Sequence, residues 1–86
     1  KDLTETQRII FNIWKKHLEV EKISIYDNYF KMGGDSLKAM RIINEIREAF
    51  KLEDQVSMSL IFSALTIKKL SDEIDDILGD LEIYSI

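Results

Sequence analysis

The sequence predicts an all-α domain: a small four-helix bundle with three main helices, one short helix and a long first loop. Three observations support this fold class. Apolar residues recur at spacings of three and four in separate segments, no segment alternates as a strand does, and no internal repeat occurs. The 86 residues suffice for one small domain with a single core. A two-domain enzyme with a buried cleft would need a longer chain.

The first helix is expected from about Glu5 to about Leu18. Thr4 and Gln7 have the spacing of a capping box, in which each side chain accepts a hydrogen bond from the backbone N–H of the other residue. The apolar side chains that follow recur with the helical period and include the only tryptophan, Trp14. We therefore expect Trp14 to be largely buried in the bundle.

The second helix is expected from Ser36 to about Phe50, with Asp35 as its N-cap. Residues 19–34, which precede it, show no sustained period. They are nevertheless too apolar for a freely solvated loop, and we expect them to pack on the bundle. On a helical wheel, an arc of about 120° forms the core face of the second helix. That arc contains Ala39, Ile42, Ile43, Ile46, Ala49 and Phe50.

A short apolar turn around Leu60-Ile61-Phe62 and a fourth helix complete the prediction. Thr66 is expected to cap the fourth helix, and Gly79 is expected to end it, because glycine is common directly after a helix. Its acidic residues are expected to form a solvated face. The chain then divides into a domain at residues 1–79 and a C-terminal tail or linker at residues 80–86. The expected buried stripe of this helix contains Ile67, Leu70, Ile74 and Ile77.

The composition argues against several classes of function. The net charge is −4 and basic residues never exceed two in a row, whereas nucleic-acid-binding proteins usually display a basic patch. Without cysteine there is no disulfide or thiol nucleophile, and the scattered carboxylates lack metal-ligand spacing. No apolar run approaches the ~20 residues of a membrane span. Because the chain starts without a signal pattern or a methionine, we expect a cytoplasmic domain of a longer protein, with a processed free-standing protein as the alternative.

The run before the second helix places one serine where a phosphate ester would be stabilised. Gly33 and Gly34 allow a turn that residues with a Cβ resist, and Asp35 can accept from the free N–H groups of the first turn. The hydroxyl of Ser36 is therefore expected to be exposed at the start of the helix. Helix N-termini favour anions, since their unpaired N–H groups and dipole point outward. We place the function at Ser36.

This sequence resembles the thiolation, or peptidyl carrier, domains of nonribosomal peptide synthetases. Those domains carry their serine in a Gly-Gly-Asp/His-Ser-Leu motif, and their other motifs occur here in the family's order along nearly the whole chain. One short motif is weak support, but four in order are specific. The matching residues are Leu3-Thr4-Glu5-Thr6 with Ile13-Trp14, Asp27-Asn28-Tyr29-Phe30, Gly33-Gly34-Asp35-Ser36-Leu37, and Phe62 with Thr66-Ile67 and Leu70.

Two features depart from the family's pattern. Leu65 stands where the family usually has proline before Thr-Ile, and the stretch from Phe50 to Phe62 looks slightly longer than usual. Both affect the expected geometry of the third helix. Neither touches Ser36.

The resemblance implies an acyl-carrier-protein-like bundle that catalyses no reaction itself. Ser36 would carry covalent 4'-phosphopantetheine from coenzyme A, and the arm would hold aminoacyl or peptidyl groups as thioesters. Gly33, Gly34 and Asp35 would shape the site. The implied partners are a phosphopantetheinyl transferase, the adenylation and condensation domains of the synthetase and, in some synthetases, epimerisation or thioesterase domains.

Partner docking is expected at Leu37, Met40, Arg41 and Ile61. Leu37 and Met40 lie outside the core arc of the second helix and form a small apolar spot beside the serine. Methionine adapts to shifting contacts, which suits a surface that meets several partners. Ile61 belongs to the short third helix, which is a partner surface in the resembling family. No metal, nucleic acid or membrane partner is expected, and the isolated domain is expected to be a monomer.

Three alternatives stay open at this point. A carrier for a polyketide or another acyl pathway, or a stand-alone aminoacyl carrier, would share the same serine. Gly34-Asp35-Ser36-Leu37 also matches the signature of Gly-Asp-Ser-Leu esterases, but a serine nucleophile needs a general base, and the single histidine, His17, lies upstream in the first helix. The third alternative is a helical interaction module in which Ser36 is an ordinary residue of a helix start.

Overall fold

The computed structural model describes residues 2–84, with side chains up to Leu81. This part of the chain contains α1 (Glu5–Leu18), α2 (Ser36–Phe50), α3 (Ser59–Ala64) and α4 (Ile67–Tyr84), and no strand. The predicted all-α fold is confirmed. α1 packs against both α2 and α4, and α3 packs against α4. None of these helices combines the length and the apolar composition that a bilayer crossing requires.

α1 has the predicted bounds because both of its ends are capped. Thr4 Oγ1 accepts from the N–H of Gln7, and Gln7 Oε1 accepts from the N–H of Thr4, each at 3.1 Å. At the other end, Glu19 adopts a left-handed conformation with φ 56°, and its N–H donates to Lys15 O at 3.0 Å. The side chains that α1 contributes to the core are Ile10, Ile13, Trp14 and Leu18.

α2 buries most of the predicted arc. Phe50 is partly buried against the core, but Ala49 is exposed, so its predicted place in the core was wrong. Ala49 lies at the edge of the arc in the last turn, directly before the chain leaves the helix through a left-handed Lys51 with φ 57°. Few neighbours remain to cover it there. The completely buried residues of α2 are Ala39, Ile42, Ile43 and Ile46.

The loop at residues 19–34 packs on the bundle, as predicted. Tyr29 is fully buried, and its N–H donates to Leu65 O at 2.7 Å. A second backbone bond runs from the N–H of Lys68 to Ile25 O at 2.9 Å. These two bonds attach the loop to the junction between α3 and α4. The loop therefore cannot move independently of that junction without losing buried contacts.

α4 begins as predicted, since Thr66 Oγ1 accepts from the N–H of Lys69 at 3.1 Å. It does not end as predicted. The helix continues through Gly79 to Tyr84, because a glycine inside a helix costs only about 1 kcal/mol relative to alanine and the apolar spacing continues to Leu81. The division between residues 1–79 and 80–86 stays a prediction, and Ser85 and Ile86 lie outside the described residues. Of the expected stripe, Ile67, Leu70 and Ile74 are fully buried and Ile77 is partly buried.

The acidic residues of α4 up to Asp80 are exposed to solvent, as expected. Asp72 receives a hydrogen bond from Lys68 Nζ at 2.6 Å, and this bond raises the pKa of the lysine. Asp75 accepts from the hydroxyl of Thr6 at 2.6 Å. This contact places the middle of α4 beside the first turn of α1.

The first prediction concerns Trp14, which is completely buried and meets the Tyr29 ring edge-on, with ring centroids 5.3 Å apart. Trp14→Ala should lower the free energy of unfolding by about 3–5 kcal/mol, the usual cost of truncating a large buried aromatic. The whole free energy of unfolding of a protein domain is only about 5–15 kcal/mol. Urea denaturation followed by far-UV circular dichroism measures this loss.

Phe11→Ala, at a partly buried position of the same helix, is the matched control and should cost less. A Trp14→Ala variant that keeps its stability but cannot be modified at Ser36 would contradict a core role for this residue.

Candidate functional site

The turn before α2 is held by its own backbone. Gly33 has φ +94°, a left-handed conformation that side chains with a Cβ rarely adopt. Its N–H donates to Phe30 O at 3.2 Å, and the N–H of Gly34 donates to Tyr29 O at 3.0 Å. The Asn28 side chain accepts from the N–H of Phe30 at 2.9 Å, which adds an Asx-type turn at the entry. The chain therefore reaches Ser36 through a fixed path.

Tyr29 connects this turn to the core. Its hydroxyl donates to Asp35 O at 2.7 Å, and its ring occupies the space that a Cβ on Gly34 would need. Burial raises the pKa of Tyr29 to about 12, and the nearby Asp35 charge acts in the same direction. The phenol is therefore neutral at physiological pH and keeps its proton for the bond to Asp35. The sequence predicted that the loop at residues 19–34 packs on the bundle, but it gave no indication of this hydrogen bond.

Asp35 starts α2 as its N-cap, which confirms the sequence prediction. Asp35 Oδ1 accepts from the N–H of Lys38 at 2.8 Å, and Asp35 O accepts from the N–H of Ala39 at 2.9 Å. Lys38 Nζ reaches back to Gly33 O at 3.3 Å. Ser36 is consequently the first residue of the helix.

The structure fits a phosphate ester on Ser36. The residue is exposed, and the space beside Gly33 is open, with no atom within 4 Å of a Cβ built there. At the start of any helix the first N–H groups have no acceptor inside the helix. Those of Ser36 and Leu37 occupy that position here, and together with the helix dipole they favour a negative charge on the serine oxygen.

Three of the four predicted docking residues are on the surface of α2 near Ser36. Leu37 is 54% exposed, Met40 is 45% exposed, and Arg41 is exposed as well. Ile61 was wrong as a docking residue, because its side chain is completely buried. The phase of the short helix α3 turns Ile61 toward the core and leaves Phe62 partly exposed.

Phe30 is a surface residue that was not among the predicted docking residues. It is 50% exposed and stacks on Phe62 of α3, with ring centroids 5.8 Å apart and planes inclined by 16°. It also contacts Tyr29 edge-on at 5.5 Å. Phe30 therefore extends the aromatic packing of the core to the surface beside the glycine turn. Its aromatic side chain directly before the glycine turn was the feature of the sequence that could have indicated this surface role.

The departure at Leu65 leaves the junction between α3 and α4 in place. Leu65 adopts φ 22°, which is strained for a residue with a side chain, and its carbonyl accepts the bond from Tyr29. α3 forms over six residues despite the longer stretch before it. A third helix therefore forms in this chain without the proline.

His17 does not serve Ser36. Its Nε2 bonds Glu45 of α2, which also receives Lys16 Nζ at 2.8 Å, and the bond from Lys16 lowers the pKa of Glu45. Glu45 lies nine residues after Ser36, or about 14 Å along the helix axis. A general base must be within hydrogen-bond reach of its nucleophile. The described residues therefore lack the serine–histidine pair of an esterase. They also contain no group of three or more histidine, cysteine, aspartate or glutamate side chains that could hold a metal ion.

Comparison with known proteins places this geometry in a family. The model described as "Phosphopantetheine attachment site" matches residues 8–74. One of the linear gramicidin synthase proteins of Brevibacillus parabrevis is 41% identical over 69 residues, which are 80% of this chain and 1% of that protein. Surfactin synthase subunit 1 of Bacillus subtilis (strain 168) is 39% identical over 71 residues, which are 83% of this chain and 2% of that protein. The chain thus spans a very small part of these relatives.

Solved structures agree with this result. A chain in the structure of the phosphopantetheine transferase Sfp in complex with coenzyme A and a peptidyl carrier protein superposes with a TM-score of 0.79 and 28% identity, covering 87% of this chain and 95% of that one. The structure of McyG A-PCP complexed with phenylalanyl-adenylate matches 81% of this chain and 11% of that one, with a TM-score of 0.74 and 28% identity. The resemblance inferred from the motifs is confirmed: the chain belongs to the phosphopantetheine attachment family of carrier domains, whose cofactor is 4'-phosphopantetheine.

Proposed function

We propose that the chain is a peptidyl carrier domain of a nonribosomal peptide synthetase and that Ser36 is its attachment site. The observation that carries this proposal is that Ser36 is exposed at the first position of α2, directly after the turn that Tyr29 holds. The similarity to gramicidin and surfactin synthases supports the pathway. When attached, the arm supplies a thiol that holds the acyl group as a thioester, and its flexible length raises the effective concentration of that group at neighbouring active sites.

The residues of the domain act by positioning. Tyr29 and Asp35 hold the turn that leads to the exposed Ser36, and the space at Gly33 within this turn is open. The start of α2 stabilises the negative charge of a phosphodiester on Ser36. No side chain of the domain needs to take a proton from Ser36, since the modifying transferase can supply that base.

The proposed partners follow from the same surface. A phosphopantetheinyl transferase would reach Ser36, and adenylation, condensation and epimerisation or thioesterase domains would reach the arm. One similar structure is a complex of a transferase with a peptidyl carrier protein and another is an A-PCP protein, which supports the first two partners. Leu37, Met40 and Arg41 form the docking surface beside Ser36 in this proposal, and Phe30 extends it. A cytoplasmic location is part of the same proposal.

Modification of Ser36 tests the proposed attachment site. Incubation with coenzyme A and a broad-specificity phosphopantetheinyl transferase should add the mass of one phosphopantetheine group to the intact protein. Ser36→Ala should abolish this increase and leave the helical circular dichroism unchanged, because the side chain is exposed and Asp35 provides the cap. Intact mass spectrometry measures the modification. Labelling that persists in Ser36→Ala would refute the assignment to this residue.

Truncation of Leu37 tests the docking surface. Leu37→Ala should change the free energy of unfolding by no more than about 0.5 kcal/mol, since exposed positions contribute little to stability. The substitution should lower the rate at which the transferase modifies Ser36 or the rate at which an adenylation domain loads the arm. Initial-rate measurements detect either effect. Leu81→Ala, at an exposed leucine of α4, is the matched control and should leave these rates unchanged. Equal rates for the wild type and Leu37→Ala would remove Leu37 from the docking surface.

A pair of glycine substitutions tests the contact between Tyr29 and Gly34. Gly34→Ala places a Cβ inside the Tyr29 ring, so it should destabilise the domain by about 1–3 kcal/mol and slow modification of Ser36. Gly79→Ala makes the same chemical change in open space within α4 and should stabilise the domain by up to about 1 kcal/mol. Thermal unfolding of both variants measures these shifts. The same sign for both would contradict the close contact at Gly34.

A further inference from the structure

The apolar stripe of α4 is longer than the bundle that it packs on. In the sequence, apolar residues recur at alternating spacings of three and four along the whole helix, and the spacing continues to Tyr84. Such a repeat places every member on one side of the helix. The described members are Ile67, Leu70, Ile74, Ile77 and Leu81.

Burial decreases steadily along this stripe. Its first three members are completely buried, Ile77 is partly buried, and Leu81 is 37% exposed. The bond between Thr6 and Asp75 shows why, because it places Asp75 beside the first turn of α1. Lys68, seven residues before Asp75, lines one cavity with Gln7 and Phe11 of α1, so α4 runs past the start of α1. Leu81 lies beyond that start, about 9 Å further along α4 than Asp75. Ile77, Leu78 and Leu81 therefore form an apolar surface at the end of the domain, which we call the α4 end face.

The charges that α4 itself contributes around its end face have one sign. From residue 70 onward the sequence contains six acidic residues and no lysine or arginine. Glu73 and Asp80, which are seven residues apart and exposed, both directly precede a member of the stripe. In coiled coils, charged residues at such flanking positions form salt bridges between the helices and thereby determine which partner binds. The acidic flank therefore selects for a cationic surface.

We propose that the α4 end face binds an amphipathic helix of another protein, with an apolar stripe flanked by lysine or arginine. The partner's stripe would cover Ile77, Leu78 and Leu81, and its cations would pair with Glu73 and Asp80. From Ile77 to Leu81 the face spans five residues, about one and a half helical turns, so binding is weak and reversible. This docking surface is separate from the proposed attachment site at Ser36 and does not depend on its modification.

Charge disfavours the other occupants. A second copy of α4 would bring two acidic helix ends together, with no cation after Lys69 on either one. A membrane surface rich in anionic lipid would repel the same carboxylates. A cationic helix relieves this repulsion and covers the apolar side chains.

Binding of a synthetic helix to the 86-residue protein tests the proposal. The probe is a fluorescent peptide of about three heptads, with leucine or isoleucine in the stripe and lysine on both flanks. Its control has glutamate in place of every flanking lysine. Fluorescence anisotropy should give a micromolar Kd for the lysine peptide, with at least about tenfold weaker binding for the glutamate peptide. Affinity should also decrease as salt increases.

Variants assign the binding to the α4 end face. Leu81→Gln and Asp80→Lys should each weaken the lysine peptide at least about fivefold, whereas Leu37→Gln, at an exposed leucine of α2, should leave its Kd unchanged. Modification of Ser36 should proceed at the wild-type rate in Leu81→Gln. A failure of peptide binding with normal modification would therefore refute this inference and leave the proposed function intact.

Four outcomes would overturn the proposal. They are equal binding of both peptides, unchanged binding by Leu81→Gln, dimerisation of the wild type that Leu81→Gln abolishes in sedimentation equilibrium, and preferential binding to vesicles that contain phosphatidylserine. The third would assign the face to a second copy, and the fourth would assign it to a membrane. The wild type should instead sediment as a monomer and should not bind the vesicles.

Discussion

The hydrogen bond from the Tyr29 hydroxyl to Asp35 O is the contact on which the site depends. Tyr29 belongs to the loop, yet it meets Trp14 of α1 through its ring and Leu65 through its N–H. One buried side chain therefore links the loop, α1, the α3–α4 junction and the start of α2. Because its pKa is raised to about 12 by burial, this link is not lost by ionisation at physiological pH. The position of Ser36 follows from the core rather than from the surface loop alone.

The sequence predicted the parts of the fold that follow from local rules. The bounds of α1 and α2 depend on the capping side chains of Thr4 and Asp35 and on the helical spacing of the apolar residues that follow. Both signals are local in the sequence. The exposure of Ser36 followed from its place at the start of α2, and the exposure of Leu37 followed from the helical wheel. The link through Tyr29 could not be predicted in this way, since it joins residues whose proximity arises only after the loop has packed.

The errors at Ile61 and Gly79 have different physical causes. Ile61 sits in a helix of six residues, too short for a period to show which side faces the core, and the family's use of α3 as a partner surface suggested the wrong side chain. Gly79 failed as a stop signal because helix propensity is a weak preference, whereas the apolar repeat on both sides of the glycine continues. In both cases a local signal was weaker than the packing around it.

The arrangement of helices keeps the two exposed apolar surfaces apart. α1 packs against both α2 and α4, so the start of α2 and the end of α4 belong to helices that meet through α1. The charges beside the two surfaces differ as well. Lys38 and Arg41 lie near Ser36, whereas every charged residue after Lys69 is an aspartate or a glutamate. A cationic partner would therefore meet only carboxylates among the charges at the end of α4, whereas at Leu37 it would also meet Lys38 and Arg41. Because the core is complete without Leu37, Met40 or Leu81, these side chains are free to contact partners at little cost in stability.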